Sequence, residues 1–434
     1  MSLAAVGLTG IVSLLGILFF LRMPVGFAMG IVGFLGFAHV INMNAALGML
    51  GTEFWSVFSS YGLTVIPLFI FMGQICFHCG VNKRLYNAAY QWTGQVRGGL
   101  AMSTILACAG FSAISGSNTA TAATMSTVAL PEMKKYNYNP ILSTGAVAVG
   151  STLGVVIPPS VVLIIIGLQT GQSIAKLFWA SLIPGILLTS LFMATVWLIC
   201  RRHPTWGPAG PKTTMAQKLR SMPGSIEMVL LFAMVMGGLF AGLFTPSEAG
   251  AAGSAIAIVI SLAGRQLNWK RFVAACADTL RVSCMIFMIV TGAVVFGRFL
   301  AVTRLPFEAA QWVSSLDIPN AVVILIICAI YVIGGAIMDA LALLLITIPI
   351  FFPVAMAMGY DPTWFSVVVT IVTTLGAVTP PVGVSAFIVS SMATGVPIAK
   401  IFKGISYFMG AYVLCIGLLM FFPQLVLFLP AYIK

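Results

Sequence analysis

The feature that most constrains this chain is the recurrence of apolar stretches of about 18 or more residues, nearly free of charge, along its whole length. Roughly 20 apolar residues cross the hydrocarbon core of a bilayer, so such runs read as transmembrane helices. Of the 434 residues, 60% are hydrophobic and 7% charged, against about 25% charged in an ordinary soluble domain. This balance excludes a soluble enzyme, a disordered chain and a nucleic-acid-binding domain. The net charge of +12 does not call for nucleic acid, because the basic residues sit in short gaps between apolar runs, where the positive-inside bias places them.

Hydropathy places spans near 3–21, 24–42, 62–80, 140–170, 177–199, 225–243, 246–264, 282–303, 363–394 and 404–430. Two further apolar stretches, 98–130 and 320–356, each turn back at a polar or small-residue break. No small-residue cleavage site follows the first run, so it reads as a span and not as a removed signal. The one long polar connection, 201–223, carries Arg201, Arg202, Lys212, Lys218 and Arg220 and no acid, which makes it cytoplasmic. With the two turning stretches returning to the side they start from, 17 of the 21 Lys and Arg fall inside. Lys176, Arg304 and Lys434 fall outside, Arg298 lies in a span, and the N-terminus is periplasmic. The count leaves open whether the two stretches cross fully or turn back halfway.

A shift of 222 residues aligns Pro131 with Pro353, Tyr138 with Tyr360, Pro140 with Pro362, Thr152-Leu153-Gly154 with Thr374-Leu375-Gly376, and Pro158-Pro159 with Pro380-Pro381. Over 131–159 the two copies share 10 of 29 residues. A slip of two residues then matches Ile174-Ala175-Lys176 with Ile398-Ala399-Lys400. By the crossing count the copies run in opposite directions. Such an inverted repeat is the design of secondary transporters, whose sites form where paired helices are interrupted by Gly and Pro.

Both copies carry that interruption, in 150–160 and 373–383. Two prolines remove two backbone donors and break the helix, and the freed carbonyls need water or a cation in the membrane interior; a kink filled by Ser and Thr side chains is the structural alternative. The segment Gly110–Thr121 concentrates hydroxyls and an amide at Ser112, Ser115, Ser117, Asn118, Thr119 and Thr121, oxygens suited to Na+, while an open helix start suits a carboxylate. Close packing of small polar residues is the competing reading. Ser117 aligns with Asp339, the only acid in the second turning stretch, which reads as functional or as a helix cap. Cys76-x-x-Cys79 ends a membrane helix with no second pair, so the cysteines read as small buried residues. The three histidines are scattered and form no metal-ligand spacing. Arg22 reads as an interfacial anchor; Arg298 either snorkels outward or pairs with an acid. Residues 84–96 and 305–316 are short amphipathic pieces lying at the interface.

From Arg22-Met23-Pro24-Val25 through Ser115-Gly116-Ser117-Asn118-Thr119 to Thr379-Pro380-Pro381, the chain resembles the large membrane subunit of tripartite ATP-independent periplasmic (TRAP) transporters, within the wider ion-transporter superfamily. The resemblance implies an all-α integral membrane protein of inverted repeats, with two re-entrant helical hairpins and two broken helices forming a mobile, elevator-type transport domain. It implies scaffold helices in 1–80 and 224–303, a first repeat in 81–200, the cytoplasmic loop 201–223 and a second repeat in 304–434. The partners it implies are a small four-helix membrane subunit and a periplasmic substrate-binding protein in the bacterial inner membrane. The start at a single span before Arg22 implies an unfused subunit.

The expected cargo is an organic acid, a sialate-like sugar acid or a C4-dicarboxylate, coupled to two or more Na+ ions. One Na+ site is expected from Ser115, Asn118 and the Gly154 carbonyl. The other is expected from the Gly335 and Gly376 carbonyls with Thr379 and Val382, and Asp339 is a further candidate. Ser117, Asn118, Thr119, Thr152, Pro159, Pro381 and Gly383 are the expected substrate contacts. A standalone Na+/dicarboxylate symporter and an ATP-driven permease subunit are the alternatives; the chain holds no GxxxxGK[ST] loop, and no filter-like repeat of a channel.

Overall fold

Backbone polar groups in hydrocarbon must bond within the protein, and this chain meets that demand with helices. The computed structural model describes residues 2–432 apart from 22, 212, 316 and 317. Arg22, Lys212 and Lys434, all placed by the charge count above, lie outside the described residues, as does Leu316 at the end of the second amphipathic piece.

The chain opens with α1 (Leu3–Gly16), α2 (Val25–Val40), α3 (Met43–Phe58) and α4 (Val65–His78). The first copy follows as α5 (Val81–Thr93), α6 (Gly99–Ser115), α7 (Asn118–Lys135), α8 (Pro140–Ser151), α9 (Leu153–Val156), α10 (Val161–Thr170) and α11 (Ile174–Arg202). Between the copies lie α12 (Met215–Ser221), α13 (Pro223–Phe240), α14 (Pro246–Ala263) and α15 (Trp269–Val302). The second copy comprises α16 (Leu305–Ser315), α17 (Asn320–Ile337), α18 (Ala340–Ala357), α19 (Pro362–Gly376), α20 (Val384–Met392), α21 (Ile398–Ser406), α22 (Met409–Phe421) and α23 (Gln424–Leu427). Among the described residues there are eight helical stretches long and apolar enough to cross a membrane, or ten if two bent pairs each count as one.

The 222-residue correspondence extends to the helix caps. Asn139 caps α8 by accepting from the Ile141 N–H at 2.9 Å, and Asp361 caps α19 by accepting from Thr363 N–H at 2.8 Å. Each is followed by proline at the first helical position, where a missing N–H costs nothing. Ser117 and Asp339, aligned by the shift, are likewise the N-caps of α7 and α18.

Glycines let the helices approach backbone to backbone, as membrane packing favours. A Cβ on Gly26 of α2 would lie 2.7 Å from the Met288 carbonyl of α15, and one on Gly33 would lie 2.7 Å from Phe296 Cα. Gly292 of α15 presses on Gly26 in return. Residues 142–167 of the Pro140–Thr170 stretch are all buried, which is what a broken helix requires in a membrane.

One element was absent from the hydropathy reading. Residues 43–58 lie between the spans at 24–42 and 62–80, and the structure forms them into α3. Asn42 caps it through the Ala45 N–H at 2.8 Å. The polar Asn44, Thr52 and Glu53 break the apolar window, yet Glu53 is 7% exposed and accepts from Arg298 Nε at 2.6 Å. Arg298 therefore pairs with an acid and ties α15 to α3. Arg298→Met would strand the buried Glu53 carboxylate and cost about 1–3 kcal/mol, below the range for fully buried pairs because the Arg298 side chain is partly exposed. The double variant Glu53→Gln/Arg298→Met should recover most of that loss, read as the thermal midpoint of purified protein in detergent.

Candidate transport site

The site is built where two hairpin tips meet two helix breaks. The first hairpin turns at Gly116 (φ +59°) and Ser117 between α6 and α7. Its tip sits on the first break: Val161 N–H donates to the Gly116 carbonyl at 3.4 Å, and a Cβ on Gly116 would meet the Pro159 carbonyl at 2.8 Å. The second tip repeats the arrangement, with Val382 and Gly383 N–H donating to the Ala336 carbonyl at 3.1 and 3.0 Å. In each copy a tip carbonyl takes up backbone donors that follow the Pro-Pro pair, which cannot be paired along a continuous helix. Both Pro-Pro peptide bonds are cis.

Glycine sets how closely tip and break can come. A Cβ on Gly154 would lie 2.5 Å from the Ser117 carbonyl, and one on its repeat partner Gly376 would lie 2.7 Å from Gly335 Cα. These are backbone atoms that have nowhere to move.

A cavity of about 1030 Å³ lies between the two tips on one side and α2, α4 and α15 on the other. Four helix starts from the tips and breaks converge on it, Asn118–Ala120 of α7, Ala340–Ala342 of α18, Val161–Val162 of α10 and Val384 of α20, and the start of α2 at Val25–Phe27 also lines it. Asp339 and Asp278 are its acids, and no Lys, Arg or His is among its described lining residues. Asp278 is held by His78 Nε2 at 2.9 Å and Arg281 Nη1 at 3.7 Å. A second cavity of about 220 Å³ lies towards the far end of the same seam, among Gln169 and Thr170, Ala293–Gly297 of α15 and Ile348–Pro353 of α18.

Of the residues expected at the site, Ser115, Ser117, Asn118, Thr119 and Asp339 line the large cavity. The Asn118 carbonyl oxygen accepts from Thr119 N–H at 2.9 Å, while its Nδ2 is buried and unpartnered. Ser115 Oγ lies 3.0 Å from Thr121 Oγ1, which donates to the Ser117 carbonyl at 2.7 Å. Gly154 packs on the Ser117 carbonyl and Thr121 Oγ1, so Ser115, Asn118 and Gly154 lie around one tip. Asp339 caps α18 through Leu341 N–H at 3.1 Å. The second expected set is also close: Gly335 touches Gly376, and Thr379 Oγ1 donates to the Gly376 carbonyl at 2.9 Å.

Other expected residues sit apart from the cavity. Thr152 is fully buried, bonded to the Val149 carbonyl at 2.6 Å and to the Tyr412 hydroxyl. Pro159 is buried under the first tip, whereas Pro381 and Val382 are exposed and Gly383 (φ +61°) is buried. Sequence reasoning missed the wall opposite the tips. His78 and Asp278 are 200 residues apart, and nothing in their local pattern joins them. Thr121 was within reach, because it stands one helical turn after Ser117 on the hydroxyl-rich tip.

Fold and site define a membrane transporter. The Alcanivorax borkumensis YdaH transporter has the same fold with a TM-score of 0.60 over 87% of this chain and 89% of its own, at 13% identity. Residues 11–425 match the family described as tripartite ATP-independent periplasmic transporter, DctM component, and the chain belongs to that family of large permeases. The C4-dicarboxylate TRAP transporter large permease DctM of Pseudomonas aeruginosa is 31% identical over 350 residues, 80% of this chain and 81% of its own. The sialic acid TRAP transporter large permease SiaM of Vibrio cholerae is 30% identical over 417 residues, 95% of this chain and 96% of its own.

Gly154→Ala and Gly376→Ala should each push a hairpin tip off its break. Overpacking against backbone costs about 1–3 kcal/mol, so both should lower the thermal midpoint, whereas Gly51→Ala, with open space around it, should not.

Proposed function

We propose that this permease imports an organic acid, a sialate-like sugar acid or a C4-dicarboxylate, by Na+-coupled alternating access of the elevator type. A periplasmic binding protein would deliver the substrate and a small four-helix membrane subunit would complete the carrier in the bacterial inner membrane. The observation that carries this reading is the convergence of four helix N-termini on one cavity whose described lining holds no basic side chain.

An anion leaving water for that cavity has to meet positive potential. Each helix N-terminus supplies about 0.3–2 kcal/mol, too little to hold a desolvated carboxylate alone. Na+ on the oxygen sets around Ser115, Asn118 and Gly154, and around Gly335, Gly376 and Thr379, would supply the remainder. The unpartnered Asn118 Nδ2 would turn to donate to the substrate. Substrate and Na+ then raise each other's affinity by the same factor, as linkage demands.

The large cavity is lined by Asp278, which His78 holds at the end of α4, the end of that helix that the charge bias makes cytoplasmic. The small one lies at the other end of the seam. This pair supports an inward-open state, with 98–130 and 320–356 as re-entrant hairpins, α2, α4 and α15 as scaffold, and the N-terminus periplasmic. The symmetric tips and breaks make the opposite state available through the repeat.

The test is uptake of candidate acids into proteoliposomes holding this chain with its partner subunits. Uptake should require an inward Na+ gradient, and an equal rate in Na+-free choline buffer would overturn the coupling. Asn118→Ala should lower uptake at least tenfold, the factor for about 1.4 kcal/mol, at unchanged expression. Thr379→Ala should raise the Na+ concentration needed for half-maximal rate.

A further inference from the structure

The loop between α11 and α12 is bonded to the first hairpin's base. Gly98 N–H donates to the Gly207 carbonyl at 2.8 Å, Asn139 N–H to the Trp206 carbonyl at 2.9 Å, and the Tyr138 hydroxyl to the Pro208 carbonyl at 2.9 Å. These three groups belong to the start of α6 and the turn into α8, the moving side in the reading above. The same strap is bonded to the other side of the elbow. Gly210 N–H donates to the Gly94 carbonyl at 2.9 Å, Thr213 Oγ1 to the Gln91 carbonyl at 2.9 Å, and Gln95 Nε2 to the Thr213 carbonyl at 2.8 Å and to its hydroxyl. Gln91 is on α5, and Gly94 and Gln95 directly follow it.

Residues 94–98 are the one short joint between α5 and α6, and Gly98 adopts φ +78° there. A Cβ on Gly207 would lie 2.9 Å from Gly98 Cα, so strap and joint are in backbone contact. Any swing of hairpin one relative to α5 must break the bonds on one side of the strap.

We propose that residues 206–211, together with Thr213, are a latch across the hinge of hairpin one that holds the permease in the state seen here and sets how often it leaves it. The inference rests on the alternating-access reading. Gln95 and Thr213 are positioning residues; neither lines the cavity. Removing their bonds lowers the cost of leaving this state without touching the transport site. Three hydrogen bonds at about 0.5–1.5 kcal/mol each give an expected shift in the population ratio of roughly tenfold or more.

The test uses the full chain with Ala123→Cys as reporter, a half-buried cavity-lining position on α7. Cys276 and Cys284 are replaced by serine, since the other six thiols are buried. A membrane-impermeant maleimide is applied separately to each face of sealed vesicles. The reporter should label chiefly from the face that carries 201–223. In Gln95→Ala/Thr213→Val, labelling from the opposite face should rise roughly tenfold relative to the first, while Thr213→Ser alone, which keeps the hydroxyl, should match the parent. Thermal midpoints of the purified variants check that both are folded. Equal ratios in parent and folded double variant, in a protein whose reporter does label from both faces, would overturn the latch. A reporter reachable from one face only, in every variant and with partner subunits and Na+ present, would overturn alternating access itself. Should the double variant fail to fold, Gln95→Ala alone, which keeps the Thr213–Gln91 bond, carries the same comparison with a smaller shift.

Discussion

The structure depends on the cost of an unpaired peptide group in hydrocarbon. Each Pro-Pro pair interrupts a helix at membrane depth and leaves donors after it with no partner one turn back. In both copies a hairpin tip resolves this by offering one carbonyl, Gly116 to Val161 and Ala336 to Val382 and Gly383. The tip can reach only because glycine stands at the contact. Tip, break and glycine thus form one unit, and the hairpins are held in the protein interior because the breaks require them there.

The same unit supplies the chemistry. Ending a hairpin against a broken helix brings two helix starts to one place, and doing so twice brings four. Partial positive charge is assembled without a basic side chain among the described lining residues. Oxygen atoms of Ser115, Thr121, Gly376 and Thr379 gather behind the tips for the same reason: they belong to backbone turns and hydroxyls that the breaks force together. Fold and proposed coupling share one physical origin.

Two cross-links lie outside the symmetric units. Arg298 with Glu53 fixes α3 on α15, and the bonded strap of residues 206–211 with Thr213 spans the joint of hairpin one.

Much of this was legible in the chain alone. Apolar run length determined an all-helical membrane protein, because a bilayer accepts few other ways to pair the backbone. The 222-residue shift located both breaks and both tips, because Pro and Gly act locally on the backbone. Ser117 and Asp339 could be matched as equivalents because a cap is set by its own next turn. The structure alone decided that Glu53 partners Arg298, that His78 holds Asp278, that Thr152 is taken by Tyr412, and that the loop read as a polar connection is a bonded strap. Those contacts join residues 67 to 260 positions apart, and a buried charge or carbonyl finds its partner by packing, which no local pattern encodes.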